Sequence, residues 1–559
     1  MRHLYYGDNL DVMKRHIKDE SVDLIYLDPP FKSNRDYNVL FKEKDGTEAA
    51  SQIMAFTDTW SWGQDDALLY GNLIVDPALP ERLRNTLKAM FALLCPAGIG
   101  TDMMSYIVMM APRLVEMRRT MKPTASIYLH CDPTASHYLK MLMDAVFGPA
   151  NFRTEIVWKR SSAHSDAKQG RSQHGRIHDV ILFYTKTDEW SWKHIFTPYD
   201  ESYTDAFYKH IEPETGRRYR LGDLTGPGGA AKGNPSYEVM GVTRFWRYSK
   251  EKMEELIRQG RIVQTKQGTV PAYKRYLDEM PGVPLQDWWG DIGPIAAQAA
   301  ERLGYPTQKP LVLLERIISS SCPEGGVVLD PFCGCGTAIH AAEKLGRKWI
   351  GIDITHLSIG LMKGRLLGAF GLIPLTKEGK HADADKTYRI TGEPTTLAEA
   401  LQLKEDGDGH QFEYWALGLV GARPVEEKKG ADKGIDGKLF FVGDNPKELE
   451  TIIISVKSGH VERKIMHELG GVVEREKAVI GVLITMKPPT RDMNEEVLAG
   501  GFYESTVWGK KYPRLQILSI EEIMGGAGIA MPPINQVNAT FIKAHKEPAA
   551  QTHSQGILI

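Results

Sequence analysis

Short apolar runs alternate with helical patterns over the first part of the chain. Residues 22–27 and 126–130 are rich in apolar and β-branched or aromatic side chains, so both segments predict buried strands. Residues 105–121 and 137–147 place apolar side chains at the spacing of amphipathic helices. Strands that alternate with helices predict an α/β fold built on a doubly wound parallel sheet.

The same alternation returns in the middle of the chain and again towards its end. Residues 327–330 predict a strand that enters a glycine-rich turn, with a helix and another strand behind it. Strands predicted at 438–442, 451–456 and 479–485 indicate a further α/β unit. The predicted divisions of the chain are 1–150, 151–300, 301–375, a linker at 376–408, 409–530 and a tail at 531–559.

Residues 151–300 differ from their surroundings because strand-like pieces alternate there with basic and aromatic clusters. Between residues 151 and 186 there are seven Lys or Arg residues against three Asp or Glu residues. Such a segment is typical of an arm that contacts nucleic-acid phosphates, and a solvated surface loop is the alternative. Its three histidines lack cysteine partners and metal-ligand spacing, which argues against a zinc site.

Charge and cysteine content narrow the classes of protein without selecting one. The 559 residues include 69 Lys or Arg and 71 Asp or Glu, a net charge of −2, so a nucleic-acid surface must be local. Five cysteines, an odd number, without a secretory signal favour a reducing, cytoplasmic compartment. No stretch approaches the ~18 apolar residues of a membrane span, so we expect no membrane association.

The strand at 22–27 ends in Asp28-Pro29-Pro30-Phe31, where two prolines stiffen the turn. Asp28 and the carbonyl of Pro29 can accept hydrogen bonds from an exocyclic amino group, and Phe31 can stack on a flat ring. Ligands of open α/β sheets bind at this edge of the sheet. We interpret the loop as a pocket for an amino-bearing ring, with a purely structural Pro-Pro turn as the alternative.

A second candidate site follows the strand at 327–330. Gly334 and Gly336 allow the backbone to approach a ligand closely. Asp353 ends the next strand, at the position that hydrogen-bonds ribose hydroxyls in nucleotide sites. Because the turn lacks the GxGxxG pattern of pyrophosphate sites, it favours an adenosyl ligand without phosphates.

Four segments together resemble the amino-group DNA methyltransferases of the permuted β-type branch. Residues 28–31 resemble the catalytic motif of that family, and residues 330–337 resemble its S-adenosylmethionine-binding motif. Residues 305–310, Tyr-Pro-Thr-Gln-Lys-Pro, match the element before the cofactor strand, and residues 7–10 match the amino-terminal element. The four motifs extend over about two-thirds of the chain, and 151–300 falls where this family keeps its target-recognition region.

The resemblance implies a circularly permuted Rossmann-like fold and a set of site residues. The implied catalytic residues are Asp28, Pro29, Pro30 and Phe31. The implied cofactor-binding residues are Asp8, Thr307, Lys309, Asp330, Phe332, Gly334, Gly336, Thr337 and Asp353. Lys309 is either part of the cofactor loop or a surface lysine. In this fold the catalytic and cofactor strands are neighbours, so their loops are expected to face one cleft.

The reaction implied by the resemblance is methyl transfer from S-adenosylmethionine to adenine N6 of a base flipped out of double-stranded DNA. Asp at position 28, rather than Ser, favours adenine N6 over cytosine N4 within the family pattern. Cys333 and Cys335 are then small residues of a tight turn and not nucleophiles. RNA or a protein amide are alternative substrates of such a methyltransferase. Another alternative is a nuclease or DNA-binding protein whose methylase half only reads DNA. Whether the protein forms a homodimer is left open.

Residues 409–486 resemble the Mrr-like branch of the PD-(D/E)xK restriction nucleases. The resemblance implies that Asp436 binds Mg²⁺, and that Lys457 orients water or stabilises developing charge. Ser455 stands where the family has Glu or Gln, which removes a metal ligand, and the acids that could compensate are Glu413 or, on the following helix, Glu468 or Glu474. The sequence therefore leaves two alternatives: a Mg²⁺-dependent endonuclease of a restriction-modification protein, or an inactive DNA-binding domain.

Overall fold

The computed structural model of the protein describes residues 1–30, 62–95, 101–161, 174–296, 299, 301, 307–375, 386–405, 409–425, 434–442, 449–459, 461–506 and 509–532. Phe31, Tyr305 and Pro306 lie outside the described residues, as do parts of the basic arm, the linker and the tail. The described chain falls into two compact units. One comprises Met1–Lys193 with the described part of Asp287–Gln551, and the other is formed by His194–Gln286.

The first unit begins with the alternating elements that the apolar pattern predicts. These are β1 (Arg2–Tyr6), α1 (Asn9–His16), β2 (Val22–Leu27), α2 (Gln64–Val75), α3 (Glu81–Leu94), α4 (Asp102–Thr120), β3 (Met121–Cys131), α5 (Ser136–Phe147), β4 (Phe152–Trp158) and β5 (Asp179–Thr185). Gly148 follows α5 with a positive φ of 91°, so this helix ends where its glycine and proline predict.

The second unit is built from short antiparallel strands. Its elements are β6 (Phe196–Thr197), α6 (Glu201–Phe207), β7 (His210–Ile211), β8 (Arg218–Asp223), β9 (Ser236–Val239), β10 (Val242–Phe245), α7 (Lys250–Arg258), β11 (Ile262–Val263), β12 (Ala272–Tyr276) and β13 (Val283–Pro284). A small apolar cluster around the fully buried Trp246 forms its core.

The separate unit is narrower than the region predicted at 151–300. Strands β4 and β5 lie inside that predicted region, yet they pair with each other and β5 pairs with β3. The reason is that β5 is buried along its whole length and apolar in its interior, which a strand achieves only inside a packed sheet. Strands β4 and β5 therefore extend the large sheet.

The chain then returns to the first unit. The elements are β14 (Trp288–Trp289), α8 (Leu311–Ser321), β15 (Val327–Asp330), α9 (Thr337–Lys344), β16 (Lys348–Asp353), α10 (His356–Phe370), β17 (Ile373–Pro374) and β18 (Thr387–Thr391). They complete a ten-stranded sheet of order β14-β4-β5-β3-β2-β15-β16-β1-β18-β17. Its central strands from β3 to β18 are parallel, whereas β5 is antiparallel to β3 and β4. The predicted α/β fold class is confirmed.

Successive side chains of β2 lie on opposite faces of this sheet. Ile25 and Leu27 join the large apolar cluster that also contains the buried faces of α4 and α5. Tyr26 lies on the other face, beside its cross-strand neighbour Tyr128 on β3. The Tyr128 hydroxyl hydrogen-bonds to the Ser321 hydroxyl at 2.6 Å, so α8 covers this second face.

The carboxyl-terminal part of the first unit has its own α/β sheet. Its elements are α11 (Leu397–Glu405), α12 (Gly409–Leu419), β19 (Arg423–Pro424), β20 (Gly437–Val442), β21 (Leu449–Lys457), α13 (Arg463–Arg475), β22 (Ile480–Thr485), α14 (Arg491–Ala499), β23 (Phe502–Ser505), β24 (Lys510–Pro513), β25 (Leu515–Ser519) and α15 (Ile520–Met524). The sheet order is β19-β20-β21-β22-β25, with an apolar cluster on each face. Among the described helices, none combines the length and apolarity needed to cross a bilayer.

Candidate active site

The loop that begins at Asp28 and the glycine-rich turn after Asp330 emerge from neighbouring strands. β2 and β15 pair in parallel, with Ile25 opposite Leu329. Because parallel strands end at the same edge of a sheet, the two loops lie side by side although 302 positions separate the two aspartates in sequence. This is the arrangement that the resemblance predicts.

The carboxylate of Asp28 is paired with Lys309, whose ammonium group donates a hydrogen bond to Asp28 Oδ2. The side chains of Lys309 and Asp28 are only 11% and 17% exposed, so water screens this ion pair weakly. Of the two alternatives for Lys309, the surface lysine is excluded by this burial. Its role towards a cofactor stays a prediction, as does that of the exposed Thr307.

Asp330 is buried at the end of β15, where its Oδ1 accepts a hydrogen bond of 3.1 Å from the amide of Phe332. Burial raises the pKa of Asp330 well above its ordinary range, and the nearby carboxylates of Asp28 and Asp353 raise it further. Crowded carboxyl groups of this kind favour the approach of a cation. Phe332 itself is buried in the large apolar cluster.

Two glycines shape the turn between β15 and α9. Gly334 and Gly336 adopt positive φ angles of 48° and 77°, which L side chains rarely adopt. A Cβ atom on Gly336 would lie 2.5 Å from Cγ of Met362, so only glycine fits there. Thr337 begins α9, and its hydroxyl accepts a hydrogen bond of 3.0 Å from the buried Arg365. The backbone of the turn is thus held close to its neighbours.

Asp353, at the end of β16, ties the glycine turn to the following loop. Its Oδ2 accepts a hydrogen bond of 2.9 Å from the amide of Gly334. Its Oδ1 accepts hydrogen bonds of 2.9 Å and 2.8 Å from the amide and hydroxyl of Thr355. Burial raises the pKa of Asp353. The hydroxyl of Ser358 also hydrogen-bonds to this carboxylate, so Asp353 holds the glycine turn and the following loop together.

Asp8 lies at the same edge, at the end of the parallel neighbour β1. Its carboxylate caps α1 and forms an ion pair with the buried guanidinium of Arg113 on α4. Arg113 also donates a hydrogen bond of 2.7 Å to Asn9 Oδ1, and the Asn9 amide donates one of 2.8 Å to the carbonyl of Pro331. These contacts join the β1 loop to the glycine turn.

Sequence reasoning missed both Asn9 and Arg113 as site residues. The signal for Asn9 was present, because it follows Asp8 inside the amino-terminal motif. The signal for Arg113 was weaker, since it is a single charged residue within the apolar pattern of α4. Only the packing of α4 against α1 shows what Arg113 contacts.

A buried polar chain beside Asp28 was also missed. The hydroxyl of Tyr26 hydrogen-bonds to His130 Nδ1 at 2.9 Å, and His130 Nε2 lies 3.3 Å from Asp179 Oδ2. Arg160 forms an ion pair with Asp179 at 3.2 Å. Tyr26, His130 and Asp179 are each at most 5% exposed, and they span the adjacent strands β2, β3 and β5.

The nuclease-like residues also come together in the described part of the chain. Asp436 Oδ2 accepts hydrogen bonds from the amide of Val456 at 2.6 Å, from the hydroxyl of Ser455 at 3.1 Å and from the ammonium of Lys457 at 3.5 Å. Burial raises the pKa of Asp436, and the charge of Glu413 on α12 raises it further. Asp436 thus contacts Lys457 directly, and Glu413 acts on Asp436 through its charge.

This site does not fit the ligand set expected for Mg²⁺. Among the residues that the structure describes, no group of three His, Cys, Asp or Glu side chains is placed to hold a metal ion. Ser455 stands where the family resemblance places a third acidic ligand, and its hydroxyl donates a hydrogen bond to Asp436. The described residues therefore do not provide the ligands of a Mg²⁺-dependent cleavage site.

Two family models match the chain. Residues 98–360 match the family described as DNA methylase, of the N6/N4 type, and residues 405–501 match the family described as restriction endonuclease, of the Mrr type. The first match begins after the Asp28 loop, so the loop is placed by the structure and by the motif alone. The second match contains the whole cluster around Asp436.

Similar proteins include two from restriction-modification systems. The Type II methyltransferase M.EcaI of Enterobacter cloacae is 30% identical over 252 residues, which cover 44% of this chain and 54% of the relative. The Mod subunit of the Type III restriction-modification enzyme StyLTI of Salmonella typhimurium is 27% identical over 358 residues, which cover 61% of this chain and 50% of the relative. The chain spans about half the length of these curated relatives.

Solved structures with some similarity include the M1.HpyAVI–SAM complex, with a TM-score of 0.28 at 14% identity over 63% of this chain and 93% of that chain. The cytosine-N4-specific PvuII DNA methyltransferase gives a TM-score of 0.31 at 12% identity over 65% and 85% of the two chains. By its two family matches, the chain carries a DNA methylase domain of the N6/N4 amino-methyltransferase family followed by an Mrr-type restriction endonuclease domain.

Proposed function

We propose that the methylase domain transfers a methyl group from S-adenosylmethionine to the N6 amino group of adenine in double-stranded DNA. The observation that carries this proposal is the shared edge of β2 and β15, which brings an amine-accepting carboxylate beside a glycine-rich adenosyl site. Neither loop alone has this chemistry. Together they provide both halves of a methyl transfer between two bound molecules.

The residues at the cofactor edge fit S-adenosylmethionine. This ligand carries a sulfonium cation, and Asp330 and Asp353 are carboxyl groups whose raised pKa values reflect burial without full compensation. Asp353 ends a strand at the position that binds ribose hydroxyls in nucleotide sites, and the positive φ angles at Gly334 and Gly336 let the backbone approach the ligand. Asp8, Thr307, Lys309, Phe332 and Thr337 complete the proposed cofactor-binding set.

S-adenosylmethionine supplies an electrophilic methyl group when it is bound. Asp28 and the carbonyl of Pro29 accept the two amino hydrogens of the target base, which directs the nitrogen lone pair away from the ring and towards that methyl group. The methylated amine would then lose one proton to solvent. Pro30 keeps the loop rigid, and Phe31 is proposed to stack on the flipped base.

The DNA part of the proposal is supported by the relatives, which are named as restriction-modification and Type II methyltransferases. We propose that the unit His194–Gln286 contributes to target recognition. Several of its cations already have acidic partners, since Arg217 pairs with Asp278 and Lys274 pairs with Glu212. Exposed cations such as Arg244 are therefore better candidates for phosphate contacts.

The proposal is tested by incubating the full-length protein with tritiated S-adenosylmethionine and with equal amounts of duplex DNA or RNA. Digestion of the labelled product to nucleosides identifies the methylated base. We expect label in DNA, as N6-methyladenine. Label in N4-methylcytosine would show that the target base is cytosine, and label in RNA alone would show that the substrate is RNA. No label in any nucleic acid would refute the proposal.

The Mrr-type domain does not carry a second proposed activity. Its cluster supplies the carboxylates of Asp436 and Glu413, whereas Ser455 provides a hydroxyl in place of a third acid. DNA cleavage and DNA binding without cleavage therefore both stay predictions for this domain. Mg²⁺-dependent nicking of plasmid DNA that is lost in Lys457→Ala would select cleavage.

A further inference from the structure

The buried polar side chains Tyr26, His130 and Asp179 lie near the carboxyl end of β2, close to Asp28. Asp28 follows the end of β2 by one position and Tyr26 by two, so it lies beside the face of the sheet that carries Tyr26. Tyr26 is opposite Tyr128 on β3, and His130 is two positions further along β3 on that same face. Polar side chains are thus gathered on the face covered by α8, at the edge where the target amine is proposed to bind.

Lys309 lies near the Asp179 end of this hydrogen-bonded chain. Burial raises the pKa of Asp179, but the hydrogen bond to His130 and the charges of His130, Lys309 and Arg160 lower it below its ordinary value. The ammonium group of Lys309 donates its hydrogen bond to Asp28. Hydrogen bonds thus join Tyr26, His130 and Asp179, the charge of Lys309 acts on Asp179, and Lys309 is hydrogen-bonded to Asp28. We call these five residues the Tyr26–Asp28 circuit.

We propose that the Tyr26–Asp28 circuit is a positioning device, which fixes the carboxylate of Asp28 in the orientation that accepts a hydrogen of the target amine. This inference rests on the role of Asp28 in the proposed function. Tyr26, His130 and Asp179 are buried, so they act through Asp28 and Lys309 and do not touch the substrate.

A physical need for such a device follows from the position of Asp28. The residue lies just beyond the end of β2, where the ladder of the sheet no longer restrains it. Its carboxylate can rotate, and an error of a fraction of an ångström in the acceptor lowers the rate of an oriented reaction. Lys309 restrains one carboxylate oxygen, and the negative charge of the nearby Asp179 attracts the same ammonium group.

The test compares two tyrosines of the same face in the full-length protein. Tyr26→Phe removes only the hydroxyl that begins the circuit. Tyr128→Phe removes a hydroxyl that is equally buried on the neighbouring strand but hydrogen-bonds to Ser321, outside the circuit. Single-turnover and steady-state methyl transfer give kcat and the KM for DNA, equilibrium dialysis gives the affinity for S-adenosylmethionine, and thermal unfolding reports stability.

We expect Tyr26→Phe to lower kcat roughly three- to tenfold, the value of one oriented hydrogen bond, with little change in KM or cofactor affinity. Tyr128→Phe is expected to lower the melting temperature about as much as Tyr26→Phe lowers it, and to keep kcat within twofold of the wild type. A second variant, Asp179→Asn, removes the charge that attracts Lys309 and is expected to lower kcat at least as much as Tyr26→Phe, which covers the case in which one variant fails to fold.

Asp28→Ala, measured in parallel, separates the two levels of the proposal. If Asp28→Ala keeps methyl transfer, the role of Asp28 and the proposed function fail together with this inference. If Asp28→Ala is inactive while Tyr26→Phe and Asp179→Asn keep the wild-type kcat, only the circuit is overturned. An equal loss of kcat in Tyr26→Phe and Tyr128→Phe would also overturn it, because the loss would then follow stability and not position.

Discussion

At the scale of single residues, the site is a group of carboxyl groups that repel one another unless a cation compensates them. Burial raises the pKa values of Asp330 and Asp353, and the nearby carboxylates of Asp28 and Asp353 raise that of Asp330 further. Lys309 compensates Asp28 from one side. A sulfonium ligand would bring a second positive charge to the same edge, so its binding is favoured electrostatically.

In the Mrr-type domain, Ser455 stands where the family resemblance places an acidic metal ligand. We predict that Ser455→Glu restores a third carboxylate beside Asp436 and makes stability depend on Mg²⁺. In EDTA the variant should melt below the wild type, because two buried carboxylates repel, and Mg²⁺ should recover the loss. Ser455→Ala is the control and should show no response to Mg²⁺ in thermal unfolding. A Ser455→Glu variant that ignores Mg²⁺ would contradict this account of the site.

The motifs at Asp28 and at Asp330 were readable because each follows an apolar strand and is itself made of turn-forming residues. The contacts of Lys309 and Asp179 were not readable, because each depends on an element that is remote in sequence. His130 ends a predicted strand, yet its neighbours in sequence do not indicate a hydrogen bond to Tyr26. Local sequence identifies what a residue can do, and the sheet order decides which residues meet.

At the scale of elements, α4 is the helix that connects the amino-terminal loop to the core. Arg113 is buried on this helix and holds both Asp8 and Asn9 at the edge of the sheet. Asn9 in turn holds the carbonyl of Pro331 in the glycine turn. The geometry of the cofactor edge therefore depends on a residue that is remote from it in sequence.

We predict that Arg113→Met weakens S-adenosylmethionine binding by about tenfold, the effect expected from losing charged hydrogen bonds that orient the β1 loop. Isothermal titration measures the affinity. Arg119→Met is the matched control on the same helix, because Arg119 pairs with Glu116 and Asp19 away from the cofactor edge. Equal affinities in the two variants would show that Arg113 does not organise the cofactor site.

The strand and helix alternation of the sheet was predictable, but the membership of β4 and β5 was not. Both strands lie next to basic segments, which favoured a separate region. In the structure β5 pairs antiparallel with β3, and β4 pairs antiparallel with β5, an arrangement that a doubly wound parallel pattern does not predict. Register and neighbours come from long-range pairing, which local periodicity does not encode.

At the scale of the whole molecule, the methylase and Mrr-type domains belong to one compact unit. Helix α10 of the methylase domain packs on α12 of the Mrr-type domain. The amide of His356, at the start of α10, donates a hydrogen bond of 3.1 Å to Gln411 Oε1 on α12. Asp353 and Thr355 immediately precede His356, so this contact lies directly behind the cofactor loop.

We predict that Gln411→Ala destabilises the protein by about 1–3 kcal/mol, because the buried amide of His356 loses its acceptor. Gln411→Glu keeps an acceptor oxygen and should recover most of the loss. Thermal unfolding measures both variants, and kcat should stay unchanged. Wild-type stability in Gln411→Ala would contradict the importance of this contact.

The central claim is that Asp28 holds the target amine beside a separately bound cofactor. The most direct test measures S-adenosylmethionine binding and single-turnover methyl transfer to DNA in the wild type and in Asp28→Ala. The account predicts unchanged cofactor affinity and a loss of transfer of about a hundredfold or more, as for removal of one preorganised hydrogen-bonding group at a reaction centre. Transfer within a few-fold of the wild type would contradict it.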